Sequence, residues 1–67
     1  MQNIRMMKRK EVEEVTKLSR SSIYALIEQG KFPKQIRLSE RSVGWIEEEI
    51  QQWIAERISA SRTGGAK

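Results

Sequence analysis

The chain has 67 residues, 33% charged and 6% aromatic, with a net charge of +4. Such a length supports one domain with a modest core, and the absence of cysteine and histidine removes disulfides, thiolate metal sites, the commonest general base and the commonest zinc ligand. No apolar run nears the roughly 18 residues of a membrane span, and Met1-Gln2-Asn3-Ile4-Arg5 lacks the apolar centre of a signal peptide, so the expectation is a soluble cytoplasmic protein without a cofactor.

Basicity is uneven along the chain. Residues 1–45 hold ten basic and five acidic side chains, whereas residues 46–67 hold three basic and four acidic ones. The first two-thirds therefore point weakly to a polyanion, although a solvated basic face accounts for charge alone.

Ile4-Arg5-Met6-Met7 predicts a short strand. A helix over Lys8–Thr16 follows, with Val12 and Val15 on one face and Glu11, Glu13 and Glu14 turned away. It is too short to stand without tertiary packing. Lys8-Arg9-Lys10 at its start opposes the helix dipole, a placement that suggests another use. Thr16-Lys17-Leu18 makes a break, and Ser19 is a good N-cap because its hydroxyl accepts from the open amides of the first turn. The second helix spans Arg20–Gln29 with an apolar stripe of Ile23, Leu26 and Ile27, and Gly30 terminates it. Two short helices joined by so tight a turn make a helix-turn-helix.

Pro33 breaks the connector that follows. Gln35-Ile36-Arg37-Leu38 and Val43-Gly44-Trp45 alternate as half-buried strands do, around a polar loop Ser39-Glu40-Arg41-Ser42. They predict a β-hairpin with Ile36, Leu38, Val43 and Trp45 on its buried face, and with Gln35, Arg37 and Gly44 on the other. A glycine within a strand lets a neighbouring backbone approach closely. A third helix is expected from Glu47 to Ser59. Glu47, Glu48 and Glu49 suit its first turn, and Ile46, Ile50, Trp53, Ile54 and Arg57 share one face, extended by Ile58. Residues 1–58 are expected to form the domain and residues 59–67 a disordered tail.

The second helix is the first candidate surface. Off its stripe it offers Ser19, Arg20, Ser21, Ser22 and Tyr24. Serine hydroxyls and open amides at a helix N-terminus suit phosphate oxygens, arginine makes paired contacts to guanine, and a tyrosine ring packs on sugar-phosphate. An ordinary capped helix facing water explains the same residues equally well. The hairpin is the second candidate. As a wing it would present Arg41 at its tip and Arg37 on its open face, with Lys31 and Lys34 at its base; a plain hairpin with solvated arginines is the alternative. Trp45 and Trp53 suit a core, packed together, better than base stacking. The glutamates, with no metal set or nucleophile beside them, do not make an active site, and the chain is not expected to be an enzyme.

Several of these segments also carry a family likeness. Leu18-Ser19-Arg20-Ser21-Ser22-Ile23-Tyr24, Gly30-Lys31-Phe32-Pro33-Lys34, Arg37-Leu38, Ser42-Val43-Gly44-Trp45 and Trp53-Ile54 together resemble the AlpA-like prophage regulatory proteins over residues 4–58. That family is related to phage excisionases and to the DNA-binding part of MerR-type regulators. The resemblance implies a winged helix-turn-helix that binds double-stranded DNA near integrase genes and regulates transcription or assists excision. It makes the helix from Ser19 the recognition helix, with Arg20, Ser21 and Tyr24 at the DNA, and Ser39–Ser42 the wing tip. The sequence departs from the family at Lys17, where glycine is frequent and a left-handed residue would cost about 1 kcal/mol. It departs again at Ala25, where arginine is frequent.

The expectation is thus a small α+β winged helix-turn-helix, three helices and a β-hairpin wing, acting as a sequence-specific transcriptional regulator of a phage or prophage element. A module this small reaches only a short half-site, so two or more copies are expected on DNA, with integrase or RNA polymerase as further partners. The rivals are a recombination directionality factor that bends DNA for an integrase and a protein-interaction adaptor using the third helix without DNA.

Overall fold

The computed structural model describes residues 3–63. In chain order they form β1 (Met6–Lys8), α1 (Arg9–Thr16), α2 (Arg20–Glu28), β2 (Ile36–Ser39), β3 (Ser42–Ile46) and α3 (Glu47–Thr63). The strands make one antiparallel sheet in the order β1-β3-β2. Three helices against a sheet whose last two strands are a hairpin give a small α+β fold of winged-helix-like architecture. No helix among the described residues is long and apolar enough to cross a membrane.

Local chemistry accounts for the helix ends. Lys8 is the extended N-cap of α1, and its side chain has no acceptor to offer. Glu11 compensates from within the first turn, its carboxylate accepting from the Lys8 amide at 2.8 Å. At the other end Lys17 is left-handed, with φ 62° and ψ 21°, and donates its amide to the Glu13 carbonyl at 2.8 Å. The Thr16 hydroxyl donates to the Val12 carbonyl at 2.7 Å and accepts from the Leu18 amide at 3.3 Å, which carries the chain through the turn. Ser19 caps α2 as expected, its Oγ accepting from the Ser22 amide at 3.2 Å. Past α2, Gly30 takes φ +73°. Its amide reaches the Ile27 carbonyl at 3.0 Å and that of Lys31 the Leu26 carbonyl at 2.8 Å, the paired closure of a Schellman turn.

Lys17 therefore adopts the conformation that only glycine takes without strain. Lys17→Gly is expected to raise stability by about 0.5–1 kcal/mol, offset in part by the greater freedom of glycine in the unfolded chain. A thermal melt followed by circular dichroism checks this as a rise in Tm of roughly 2–8 °C. A fall in Tm would show that the lysine side chain stabilises the turn by more than its backbone strains it.

The core comprises Met7, Val12, Ile23, Phe32, Trp45 and Ile50, with Leu18, Tyr24, Leu26, Ile27, Val43, Trp53 and Ile54 packed around it. Two tryptophans hold the connector between α2 and β2. The Trp45 indole N–H donates to the Pro33 carbonyl at 3.0 Å and that of Trp53 to the Lys31 carbonyl at 2.8 Å. The indoles take different ring partners rather than each other: Trp45 lies edge-on to Tyr24, with centroids 6.3 Å apart, and Trp53 edge-on to Phe32 at 4.9 Å. A segment without helix or strand is thus fixed at two backbone carbonyls.

Besides the tryptophan pair, three further expectations need correction. Val15 does not share the buried face of Val12; it is exposed, because the inward side of α1 follows the i, i+3, i+4, i+7 line of Arg9, Val12, Glu13 and Thr16, none of which is exposed, and Val15 falls off that line. Ile36 and Leu38 do not lie on the core face of the hairpin. Ile36 pairs with Gly44 and Arg37 with Val43, so Arg37 shares the face of Val43 and Trp45, while Ile36 and Leu38 point outward and are exposed. The cause is the register. Ser39 pairs with Ser42 across a tight turn at Glu40-Arg41, and an irregularity between Arg37 and Ser39 shifts the phase of β2; such a shift exchanges the faces of a whole strand. The expected short N-terminal strand is present and pairs with β3, extending the hairpin to a three-stranded sheet, and the Glu47 amide donates to the Arg5 carbonyl at 2.8 Å beside it. Finally, α3 continues to Thr63, past the expected end at Ser59; the rest of the expected tail lies outside the described residues. Gly44 meets its expectation: a Cβ there would stand 3.2 Å from the Met7 carbonyl oxygen of the adjoining strand.

Candidate nucleic-acid interface

Between α2 and the hairpin runs a groove of about 450 Å³. Arginines from three elements meet there: Arg9 at the start of α1, Arg20 at the start of α2, and Arg37 and Arg41 from the hairpin. Glu40 is the one carboxylate among the described residues lining it. Each cation has a local reason for its position. Arg9 donates its Nε to the Glu13 carboxylate at 3.1 Å, a helical i, i+4 pair. Arg20 follows the Ser19 cap, and its guanidinium carbon sits 5.8 Å from the Tyr24 ring centroid. Arg37 folds back on the turn, its Nε directed at the Ser39 carbonyl and its Nη2 at the Glu40 carbonyl, both at a long 3.4 Å. Arg41 stands exposed in the turn itself.

Tyr24 joins this surface to the core. It is half-buried, with one side against Trp45 and the other lining the groove beneath Arg20. The groove wall also contains Gln35, whose Oε1 is buried without a hydrogen-bond partner, an acceptor still open to a donor.

Of the residues singled out from sequence, the structure gathers Arg20, Tyr24, Arg37 and Arg41. Ser21, Ser22, Lys31 and Lys34 are exposed but do not line the groove. Ser19 faces a different hollow, and its hydroxyl is engaged by Ser22, accepting from the amide and donating to Oγ at 3.1 Å. That second hollow is wider, about 670 Å³, but Glu11, Glu13 and Glu14 line it beside Lys10 and Lys17, which suits a polyanion poorly. Sequence reasoning missed Arg9 and Gln35 as groove residues. For Arg9 a signal was present, since a basic run against the helix dipole asks for another use. Gln35 carried none. Among the described residues no group of His, Cys, Asp and Glu is arranged to hold a metal ion.

A winged-helix-like domain with a cationic groove between its second helix and its hairpin is the class of protein that this geometry defines. Residues 5–58 match the family described as prophage CP4-57 regulatory protein (AlpA), and the chain belongs to that family. It is 43% identical over 54 residues to an uncharacterized protein, ORF88, of Enterobacteria phage P4; the match covers 81% of this chain and 61% of that protein. It is 33% identical over 60 residues to the DNA-binding transcriptional activator AlpA of Escherichia coli (strain K12), covering 81% of this chain and 86% of that one.

Proposed function

We propose that the protein is a sequence-specific DNA-binding transcriptional regulator of a phage or prophage element, acting near an integrase gene. The observation that carries this reading is the convergence of four arginines from α1, α2 and the hairpin on one groove. The family, and a relative that is itself a DNA-binding transcriptional activator, support it.

In this reading α2 enters the major groove by its N-terminal end, where Arg20 makes a paired contact to a guanine edge or holds a phosphate. Ser21 and Ser22 offer hydroxyls to the backbone alongside. The hairpin is the wing, with Arg41 at the adjoining phosphates and Arg37 keeping the turn in shape; Lys31 and Lys34 add longer-range attraction. Arg9 contributes a phosphate contact from the first helix. One module covers a short half-site, so useful specificity comes from two or more copies on DNA.

Enrichment of fragments from the source genome on the immobilised protein tests the reading directly: a small set of recurring sites is the expected result, and no enrichment over bulk DNA refutes it. Arg41→Ala tests the wing. Removing one phosphate contact retains one condensed counterion, so the slope of log affinity against log salt is expected to fall by about one, with binding weakened evenly across sites. A loss concentrated on A·T-rich flanks would instead place Arg41 in a narrow minor groove. Unchanged slope and affinity on both A·T-rich and G·C-rich flanks would leave the hairpin as scaffold.

A further inference from the structure

The outer face of the sheet carries apolar side chains that the rest of the described chain leaves uncovered. Strand alternation puts Ile4, Met6 and Lys8 on that face along β1 and its approach, with Ile46 paired to Met6 and Gly44 to both Lys8 and Ile36. Ile4 is 66% exposed, Met6 36%, Ile36 39% and Leu38 46%. Scattered exposed apolar residues need no explanation, but a set gathered on one face of so small a domain does. Gly44 makes the face continuous: a Cβ there would come within 2.9 Å of Leu38 Cδ1 and 3.3 Å of Met6 Cε, so its absence lets both side chains close over the middle strand.

The charges at the rim indicate what covers this face. Lys8 stands at one end of the outward row on β1. At the other end Glu48 and Glu49 share a shallow hollow with Ile4 and Ile46. A two-fold axis through the middle of the face exchanges these ends. It lays apolar side chains on apolar side chains and brings Lys8 of each copy toward Glu48 and Glu49 of the other. A self-complementary patch of this kind is what an isologous contact requires. A uniformly acidic or basic partner would instead meet like charge at one end. The arginine groove includes Val43 and Arg37, on the opposite face of the sheet, so a copy seated here leaves the groove open.

We propose that the outer sheet face, centred on Met6, Gly44 and Ile36 and flanked by Lys8 and by Glu48 with Glu49, binds a second copy of this chain about a two-fold axis. The proposal does not rest on DNA binding, and its test is made without DNA. A patch this small gives a weak pair, so sedimentation equilibrium of the full chain between about 10 μM and 1 mM is expected to show monomer and dimer. Ile36→Glu buries two like charges at the contact and is expected to raise the dissociation constant about tenfold or more. Lys8→Glu alone, and Glu48→Lys with Glu49→Lys, are each expected to weaken the pair at low salt, and all three together to restore it. Circular dichroism confirms that each variant remains folded. A parent chain that stays monomeric throughout, a dimer indifferent to Ile36→Glu, or charge changes without restoration would each overturn the proposal. The first outcome would reserve the face for a different protein.

Discussion

Replacing Trp45 by alanine is expected to unfold the domain, at a cost of about 3–5 kcal/mol. Trp45 is the largest of the fully buried side chains, and it joins three parts of the fold. From the middle strand it packs edge-on to Tyr24 of α2, pairs through its backbone position with Met7 of β1, and donates its indole N–H to the Pro33 carbonyl. Truncation removes the packing and also strands that carbonyl in a partly buried site. A domain of this size holds only a few kcal/mol in reserve, so loss of far-ultraviolet circular dichroism at room temperature is the expected reading. Trp45→Phe separates the two contributions, since it retains a ring and loses the N–H. Trp53 is only half-buried, held by Phe32 and by Arg57, whose guanidinium carbon lies 4.7 Å from its ring centroid. Trp53→Ala is accordingly expected to be milder. A well-folded Trp45→Ala chain would show that the sheet is held by other contacts than these.

Arg20→Ala is expected to weaken DNA binding by about 1–3 kcal/mol while the fold survives. Arg20 lies off the apolar stripe of α2, exposed at the first helical position, where its guanidinium shares the groove with Arg9, Arg37 and Arg41. Its contact with the Tyr24 ring is at an exposed site, where a cation–π pair contributes at most about 1 kcal/mol, so a thermal melt should move little. Titration of a recovered DNA site at fixed salt gives the affinity. A loss restricted to certain base changes in the site would identify a base-edge contact, and a uniform loss a phosphate contact. Undiminished affinity on every site would remove α2 from the interface, whereas a collapsed melt would make Arg20 structural. Together with the Arg41→Ala salt slope this separates helix from wing, because the two residues sit on different elements of the same groove.

Much of this is legible in the sequence alone, and the reason is range. Ser19 caps and Gly30 terminates α2 through bonds that span a few residues, so residue type and spacing suffice to place both ends. The glutamates at the start of α3 and the stripe of Ile23, Leu26 and Ile27 are equally local. The left-handed turn at Lys17 was legible only through the likeness to relatives with glycine there, since nothing in the residue itself announces it. The arginines of the hairpin and of α2 could be named as cations near a cap and a turn, but not as neighbours.

Neighbourhood is what the tertiary structure alone decided. Alternation in β2 shows that Ile36 and Leu38 share a face, yet not which face; the tight turn at Glu40-Arg41 and the irregularity before Ser39 choose it, and they turn both residues outward. The same choice puts Arg37 beside Val43 and so into the groove. Arg9 joins that groove because β1 pairs with β3 and carries the start of α1 alongside the hairpin. The bonds from Trp45 to Pro33 and from Trp53 to Lys31 bridge separations of 12 and 22 residues. Contacts of that reach depend on how strands register and helices pack, so the order of residues along the chain supplies their chemistry while the assembled sheet and helices determine which of them meet.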